Sequence, residues 1–206
     1  MAAAVDRLGP WAAVGLLALA LSGCADKKSV PPPEPFIAAD ITSVGYGSDF
    51  RLTDHRGKVR TLADFKGKAV LLFFGYTHCP DVCLTILSEL AMMQKRLGDD
   101  AARVQVVFVT LDPARDTPEK LADFVTYFHR DFLALYGDEA ATAKTAAEFR
   151  VHYSKHDSGS AAGYFLDHSA GIYGFDTHGR LRLLINYGTD LAAVMHDVKL
   201  LLGEKP

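Results

Sequence analysis

Two cysteines, Cys79 and Cys83, stand four residues apart in the segment GYTHCPDVC, residues 75–83. Thiols bind metals and attack disulfides as thiolates, and the free N–H groups at the start of a helix favour that charged form. A helix-like stretch follows directly, and Pro80 suits a first helical position, so we expect Cys79 at or near the N-cap and lowered pKa values for both thiols. The spacing puts both sulfur atoms on one face of the first turn, with Cys79 at the mouth and Cys83 leaning toward the core. Such a pair can hold a soft metal ion or form and exchange a disulfide.

A metal ion held by two thiolates needs a third ligand from another loop at the same edge of the sheet, and imidazole suits copper and zinc. His168, in YFLDHSAGIYGF, falls at the junction between an extended stretch and a strand. His78 adjoins Cys79 and is a second candidate. His152 and His156 are weaker candidates because they flank a predicted flexible loop at 156–163. We interpret the other four histidines as solvated surface residues: His55, His129, His178 and His196.

Three other interpretations of the cysteine pair differ in chemistry. A thiol-disulfide oxidoreductase, with Cys79 attacking and Cys83 resolving, fits the spacing and stays open. A purely structural disulfide is disfavoured because closing so short a loop gains little entropy. A peroxidase is disfavoured because such sites resemble T-x-x-C, whereas Tyr76 and Pro80 stand three residues before the two cysteines.

The strands that must position these groups are predicted by apolar patterning. Two runs, AVLLFF at 69–74 and VQVVFVT at 104–110, are apolar without alternation and predict strands buried on both faces. Shorter strands are predicted around them: a hairpin turning at Gly57, a strand at 132–136 and a pair joined by the turn DTHG at 176–179.

Four helices are predicted between and after these strands. The first follows the cysteines, carries an apolar stripe through Leu87, Leu90 and Met93, and stops at Gly98. The second starts with Thr117 as N-cap. The others cover DEAATAKTAAEF and TDLAAVMHDVKLL. This order of elements indicates an α/β protein with a mixed sheet flanked by helices and an N-terminal hairpin, for which a thioredoxin-like fold is the natural candidate.

The N-terminal segment has the pattern of an export signal. An early Arg7 precedes an apolar run, Trp11 to Leu21, that is too short to span a bilayer. The segment LSGC, which ends at Cys24, resembles the lipobox of bacterial lipoproteins. We therefore expect a lipoprotein signal peptide at 1–23, a lipidated Cys24 with a Pro-rich linker at 24–42, and one domain at 43–206. An uncleaved N-terminal anchor is the alternative. Either way the domain is tethered, and we expect it on the periplasmic side of a bacterial membrane.

Composition narrows the function further. The chain has 206 residues, 49% of them hydrophobic, which fits one globular domain. A net charge of −3 without a basic run argues against a nucleic-acid surface. Of the three cysteines, lipidation would consume Cys24, so the remaining pair is better interpreted as a chemical site than as part of a disulfide framework.

Three motifs in this order, FFGYTHCPDVC, VTLDPARDTP and FLDHSAGIYGFDTHGRL, resemble the Sco/SenC family of copper-binding proteins over roughly residues 43–202. The resemblance implies a thioredoxin-like fold and copper bound by Cys79, Cys83 and His168. It also implies a role in maturing the dinuclear copper centre of cytochrome c oxidase subunit II, or a related copper acceptor, as a copper carrier, as a thiol reductant of the acceptor, or both. Two thiolates and an imidazole suit Cu(I), and Cu(II) stays open as a second form. A periplasmic copper donor protein is a further expected partner.

One departure and one acidic motif concern the surroundings of the site. Where family members commonly have a proline and then a small or hydroxyl pair after the second cysteine, this chain has Leu84, Thr85 and Ile86, which bears on partner preference more than on metal binding. Asp112, in DPARD, follows a buried strand at its C-terminal end. We expect it to face the cysteine loop, where it would orient a ligand or meet a partner. Alternatively, Asp112 and Arg115 simply tie down a turn.

Overall fold

The computed structural model describes residues 35–157, 159 and 163–203. Eight strands in this part of the chain form one mixed sheet in the order β1-β10-β9-β4-β5-β6-β2-β3, while β7 and β8 pair separately. The strands are β1 (Ala39–Asp40), β2 (Leu52–Asp54), β3 (Val59–Arg60), β4 (Ala69–Gly75), β5 (Val104–Thr110), β6 (Leu133–Tyr136), β7 (Tyr153–Asp157), β8 (Tyr164–His168), β9 (Ile172–Phe175) and β10 (Leu181–Ile185). The helices are α1 (Val82–Leu97), α2 (Pro118–Phe128), α3 (Glu139–Glu148) and α4 (Leu191–Leu201).

The two apolar runs form the centre of the sheet, as predicted. Every residue of β4 and β5 is buried, because a strand between neighbours with helices packed on the sheet has no solvent face. The two strands are parallel and in register from Ala69 opposite Val104 to Gly75 opposite Thr110. Their C-terminal ends therefore lie at the same edge, and the cysteine loop and the DPARD motif both follow from that edge.

The helices confirm the predicted apolar stripe of α1, its stop at Gly98 and the predicted N-cap of α2. Leu87, Leu90 and Met93 of α1 are buried, and the helix ends at Gly98 with a positive φ of 59°, a conformation that glycine adopts without strain. Thr117 caps α2 by accepting a hydrogen bond from the backbone N–H of Lys120. Together with the predicted hairpin of β2 and β3, the mixed sheet and its four helices have the thioredoxin-like arrangement expected from the sequence.

Two local predictions are wrong. Helix α1 begins at Val82 with Asp81 as its N-cap, so Pro80 lies before the helix instead of at its first position, and Cys79 lies two residues before the N-cap. Residues 156 and 157 were expected in a loop, but they belong to β7. Strand β7 pairs antiparallel with β8 from Tyr153 opposite His168 to Asp157 opposite Tyr164.

The predicted signal peptide at 1–23 and the predicted lipidation site Cys24 lie outside the described residues. At the end of the predicted linker, Ala39 pairs with Leu184 of β10, and the backbone N–H groups of Ile37 and Ala38 donate to the Asp197 carboxylate at 2.9 and 2.8 Å. Within the described part of the chain, no helix combines the length and the apolar character that crossing a membrane requires.

Candidate metal centre

The structure brings together the three residues that the sequence singled out. The Sγ atoms of Cys79 and Cys83 and a ring nitrogen of His168 all lie within 4.8 Å of one another. Cys83 Sγ lies 3.5 Å from His168 Nε2, across 85 positions of sequence. Among the described residues, no other cluster of three or more histidine, cysteine or acidic side chains has this convergence.

The local backbone places Cys79 so that its sulfur replaces a helix cap. A turn after β4 brings the Cys79 N–H to the Tyr76 carbonyl at 3.2 Å. The side chain of Asp81 makes no capping hydrogen bond, and the N–H of Cys83 instead donates to Cys79 Sγ at 3.5 Å. The expected link between a thiolate and a helix N-terminus therefore exists, although Cys79 is not itself the N-cap.

Glycine at position 75 makes room for the inner sulfur. A Cβ atom built on Gly75 would lie 2.7 Å from Cys83 Sγ and 2.8 Å from Cε2 of Phe108. Cys83 is fully buried, and Cys79 is 8% exposed. This confirms the prediction that one sulfur leans into the core and the other lies at the mouth.

His168 presents one defined nitrogen to the cysteines. Its Nδ1 lies 3.0 Å from the carbonyl oxygen of Ser169, which can only accept, so Nδ1 carries a proton and donates it. Nε2 is then the atom that faces the sulfurs and is free to bind a metal in the neutral ring. The rings of Tyr76 and Phe73 pack beside the imidazole at centroid distances of 5.9 and 6.2 Å, which limits its rotation.

The two thiols differ in acidity because they share one proton. The hydrogen bond from the Cys83 thiol, followed by those from His168 and the N–H groups of Cys83 and Asp81, outweighs burial and lowers the pKa of Cys79 to about 4. The same hydrogen bond, then burial and the negative charge of Cys79, raises the pKa of Cys83. The expectation of two lowered pKa values is therefore wrong for Cys83, because a second thiolate beside the first would be buried and repelled.

The acidity of His168 follows from the same contacts. Burial alone would lower the pKa of its imidazole, but the hydrogen bond to Cys79 and the bond to the Ser169 carbonyl raise it overall. In the metal-free protein, the outer thiolate therefore stabilises a protonated imidazole next to it. A metal cation bound by both sulfur atoms and Nε2 would displace the proton on Nε2 and the thiol proton of Cys83.

A carboxylate that sequence reasoning missed fixes the cysteine loop. Asp116 accepts hydrogen bonds from the backbone N–H of Thr77 at 3.0 Å, from the Thr77 hydroxyl at 2.6 Å and from the Thr110 hydroxyl at 2.6 Å. It is the second acid of the DPARD motif. That motif gave the signal, since its two aspartates follow the same strand end.

Asp112, the acid that the sequence singled out, contacts the hairpin that carries His168. Its carboxylate accepts a hydrogen bond from the Tyr164 hydroxyl at 2.6 Å and forms an ion pair with Arg115. Its backbone carbonyl accepts from the N–H groups of Arg115 and Asp116. Asp112 thus closes a turn and also reaches β8.

The remaining candidate histidines do not join the cysteines. His78 directs Nδ1 to the Thr77 hydroxyl at 3.0 Å. His156 lies 3.1 Å from the Asp167 carboxylate and stacks on Phe165. His152 lines a cleft beside His168 but belongs to no ligand cluster among the described residues. His55 is not simply solvated, because its Nδ1 accepts the N–H of Ala134.

Comparisons with known proteins identify relatives of this chain. A family model described as SCO1/SenC matches residues 39–203. The bovine protein "SCO2 homolog, mitochondrial" (Bos taurus) is 43% identical over 133 residues, 64% of this chain and 50% of the bovine protein. Its human counterpart (Homo sapiens) is 37% identical over 166 residues, 77% of this chain and 62% of the human protein. The chain thus spans between half and two thirds of the length of these relatives.

A solved structure shows the same fold. The structure of Bradyrhizobium japonicum ScoI with copper bound superposes with a TM-score of 0.69 at 38% sequence identity, and the match covers 75% of this chain and 98% of that one. That relative therefore carries copper on a fold shared with this chain.

Proposed function

The chain belongs to the SCO1/SenC family, and on that premise we propose that it is a copper-binding metallochaperone for the assembly of cytochrome c oxidase. Cys79, Cys83 and His168 would hold Cu(I) and deliver it to the dinuclear copper centre of subunit II. The observation that carries this proposal is the convergence of two sulfur atoms and one imidazole nitrogen within 4.8 Å.

The ligand set suits copper as a cargo. Thiolates are soft ligands that select Cu(I), and imidazole completes a three-coordinate site. Such a site leaves a position at which an acceptor thiolate can attach before the donor ligands leave, so copper passes by ligand exchange without a change in oxidation state. Cys79 lies at the mouth, and Leu84, which follows Cys83 in the chain, is 39% exposed and would offer an apolar contact to a partner.

The cellular setting is part of the same proposal. A signal peptide at 1–23 and a lipid on Cys24 would tether the domain to a membrane, facing the bacterial periplasm. Copper would reach it from a donor protein there. The LSGC sequence and the Pro-rich stretch that follows it support this placement.

Thiol-disulfide exchange is a second candidate function, favoured by the lowered pKa of Cys79, about 4. The Cys79 thiolate would attack one sulfur of an acceptor disulfide and release the other as a thiolate. Cys83 would then lose its proton to solvent, attack Cys79 and release the second acceptor thiolate. Two electrons pass to the acceptor, and a Cys79–Cys83 disulfide remains, which cannot bind copper.

One substitution separates the two functions. With His168→Ala we expect copper transfer from the loaded protein to a reduced subunit II domain to be lost, while reduction of the oxidised subunit II domain continues. His156→Ala is the matched control, since His156 lies on the same hairpin but does not contact the cysteines. Unchanged copper transfer by His168→Ala would refute the ligand set. If His168→Ala still transfers copper but no longer reduces the subunit II domain, the result would favour the reductase.

A further inference from the structure

The hairpin that carries His168 stands apart from the main sheet. Strands β7 and β8, here called the ligand hairpin, pair only with each other among the described residues. Among the described residues no ladder of backbone hydrogen bonds joins them to the main sheet, so side-chain contacts help to fix their position relative to the cysteine loop. One is the bond from the Leu166 N–H to the Tyr76 hydroxyl at 3.2 Å.

Arg115 makes a second set of contacts. Its Nη1 donates to the backbone carbonyl of Tyr164, at the start of β8, at 2.8 Å. Its guanidinium carbon lies 3.6 Å from the centroid of the Tyr164 ring and 5.8 Å from that of Tyr76. Its Nε pairs with Asp112, which also accepts the Tyr164 hydroxyl. Arginine, tyrosine and aspartate thus form a closed ring of contacts between the ligand hairpin and the loop after β5.

We propose that Arg115 is a positioning residue that holds the ligand hairpin against the cysteine loop and so sets how firmly His168 binds copper. The inference rests on the proposed copper site but adds a residue that does not touch the metal. Tyr164 and His168 are the first and last residues of β8, so a shift at Tyr164 is carried along a short rigid strand to the imidazole.

The chemistry of this contact is specific to arginine. A planar guanidinium can pair with a carboxylate, donate to a carbonyl and stack on a ring at the same time. A lysine ammonium could keep the ion pair with Asp112 but could not stack in this way. Among the described residues, Nη2 of Arg115 is buried and has no hydrogen-bond partner, so this donor stays unsatisfied in the closed arrangement.

Arg60 provides a matched control. Its Nε pairs with Asp54 at 2.7 Å, its side chain is 18% exposed against 19% for Arg115, and its guanidinium carbon lies 5.9 Å from the Phe65 ring. Both arginines therefore combine a buried ion pair with an aromatic contact. The ion pair of Arg60 is made within the N-terminal hairpin, which carries none of the three ligands.

The test compares Arg115→Gln, Arg115→Lys, Tyr164→Phe and Arg60→Gln in the full chain. Cu(I) affinity is measured by chelator competition, and hydrogen exchange is measured at the Leu166 amide. We expect Arg115→Gln to lower copper affinity roughly 10- to 100-fold and to speed Leu166 exchange. Arg115→Lys and Tyr164→Phe should fall between it and the wild type, and Arg60→Gln should change neither quantity at the site.

The outcomes separate this inference from the proposed function. If His168→Ala weakens copper binding but Arg115→Gln leaves both affinity and Leu166 exchange unchanged, Arg115 does not hold the hairpin and the inference is overturned. If His168→Ala leaves copper affinity unchanged, the proposed ligand set fails. Leu166 exchange in Arg115→Gln still decides whether the arginine holds the hairpin.

Discussion

Adding a single methyl group at Gly75 should weaken copper binding by displacing the inner sulfur. The new Cβ would lie 2.7 Å from Cys83 Sγ, whereas ordinary contacts begin at 3.4 Å. The sulfur or the strand must therefore move by about 0.7 Å, which is more than three times the tolerance of roughly 0.2 Å for a metal–ligand distance. We expect the Cu(I) affinity of Gly75→Ala to fall about 10- to 100-fold, as for other changes that displace a ligand without removing it.

Protein stability should change much less than copper binding. Overpacking costs about 1–3 kcal/mol, and alanine recovers roughly 0.5–1 kcal/mol because it loses less backbone entropy than glycine in a strand. We expect the free energy of unfolding of the metal-free protein to fall by about 1–2 kcal/mol, measured by urea titration. The variant should therefore be folded when its copper affinity is measured by chelator competition.

Gly137→Ala is the matched control for this experiment. Its Cβ would meet the Cβ of Ala141 at 2.8 Å and Cδ2 of Leu52 at 2.9 Å, so it is overpacked to a similar degree but touches no sulfur. It should lose stability and keep its copper affinity. If Gly75→Ala binds copper as tightly as Gly137→Ala, the inner sulfur is not a ligand in the position described here.

Three further predictions concern the supporting contacts and the ionised groups. Asp116→Ala leaves the N–H and hydroxyl of Thr77 without their acceptor. Urea titration should therefore show a loss of about 3 kcal/mol in the free energy of unfolding. A loss below ~1 kcal/mol would contradict the role of Asp116 in anchoring the cysteine loop. In the reduced, metal-free protein, the pKa of Cys79 is lowered to about 4, chiefly by the hydrogen bond from the Cys83 thiol. Its rate of alkylation by iodoacetamide should therefore stay flat between about pH 6 and 8, where an ordinary thiol reacts faster as the pH rises. A steep rise would refute the assignment of Cys79 as a thiolate. The pKa of Asp54 is lowered because the hydrogen bonds from Arg60 and the backbone outweigh burial, so its carboxylate stabilises the fold above the unfolded pKa of ~3.9 and loses this effect as the pH falls through the folded value. Asp54→Asn should therefore lower the free energy of unfolding by about 3 kcal/mol at pH 7. The difference in unfolding free energy from the wild type should shrink below about pH 4. A difference that stays constant across this pH range would show that Asp54 is not ionised.

The sequence was sufficient where one physical rule dominates. Strand β4 was predicted correctly because an apolar run without alternation has few alternatives to a strand buried on both faces. The relative depth of Cys79 and Cys83 was predicted because a spacing of four on a helix continues the stripe through Leu87. Both rules act within a few residues, so a single segment contains the information.

The sequence was insufficient where distant side chains decide the structure. The predicted start of α1 is wrong because a sulfur atom, an unusual acceptor, caps the first turn. Cys79 Sγ accepts the N–H of Cys83, and the helix begins at Val82, after Pro80. Strand β7 was missed because its residues are exposed, and within the described part of the chain it pairs with β8 alone. The contact of Arg115 with Tyr164 spans 49 positions, and no periodicity in the sequence encodes it.

X-ray absorption at the copper edge of the reduced, Cu(I)-loaded protein tests the central proposal most directly. We expect one copper per chain with two sulfur neighbours and one nitrogen neighbour. In His168→Ala the nitrogen neighbour should disappear while both sulfur neighbours remain. A spectrum that is the same for the wild type and His168→Ala, or a wild type that retains no copper on Cys79 and Cys83, would contradict the account.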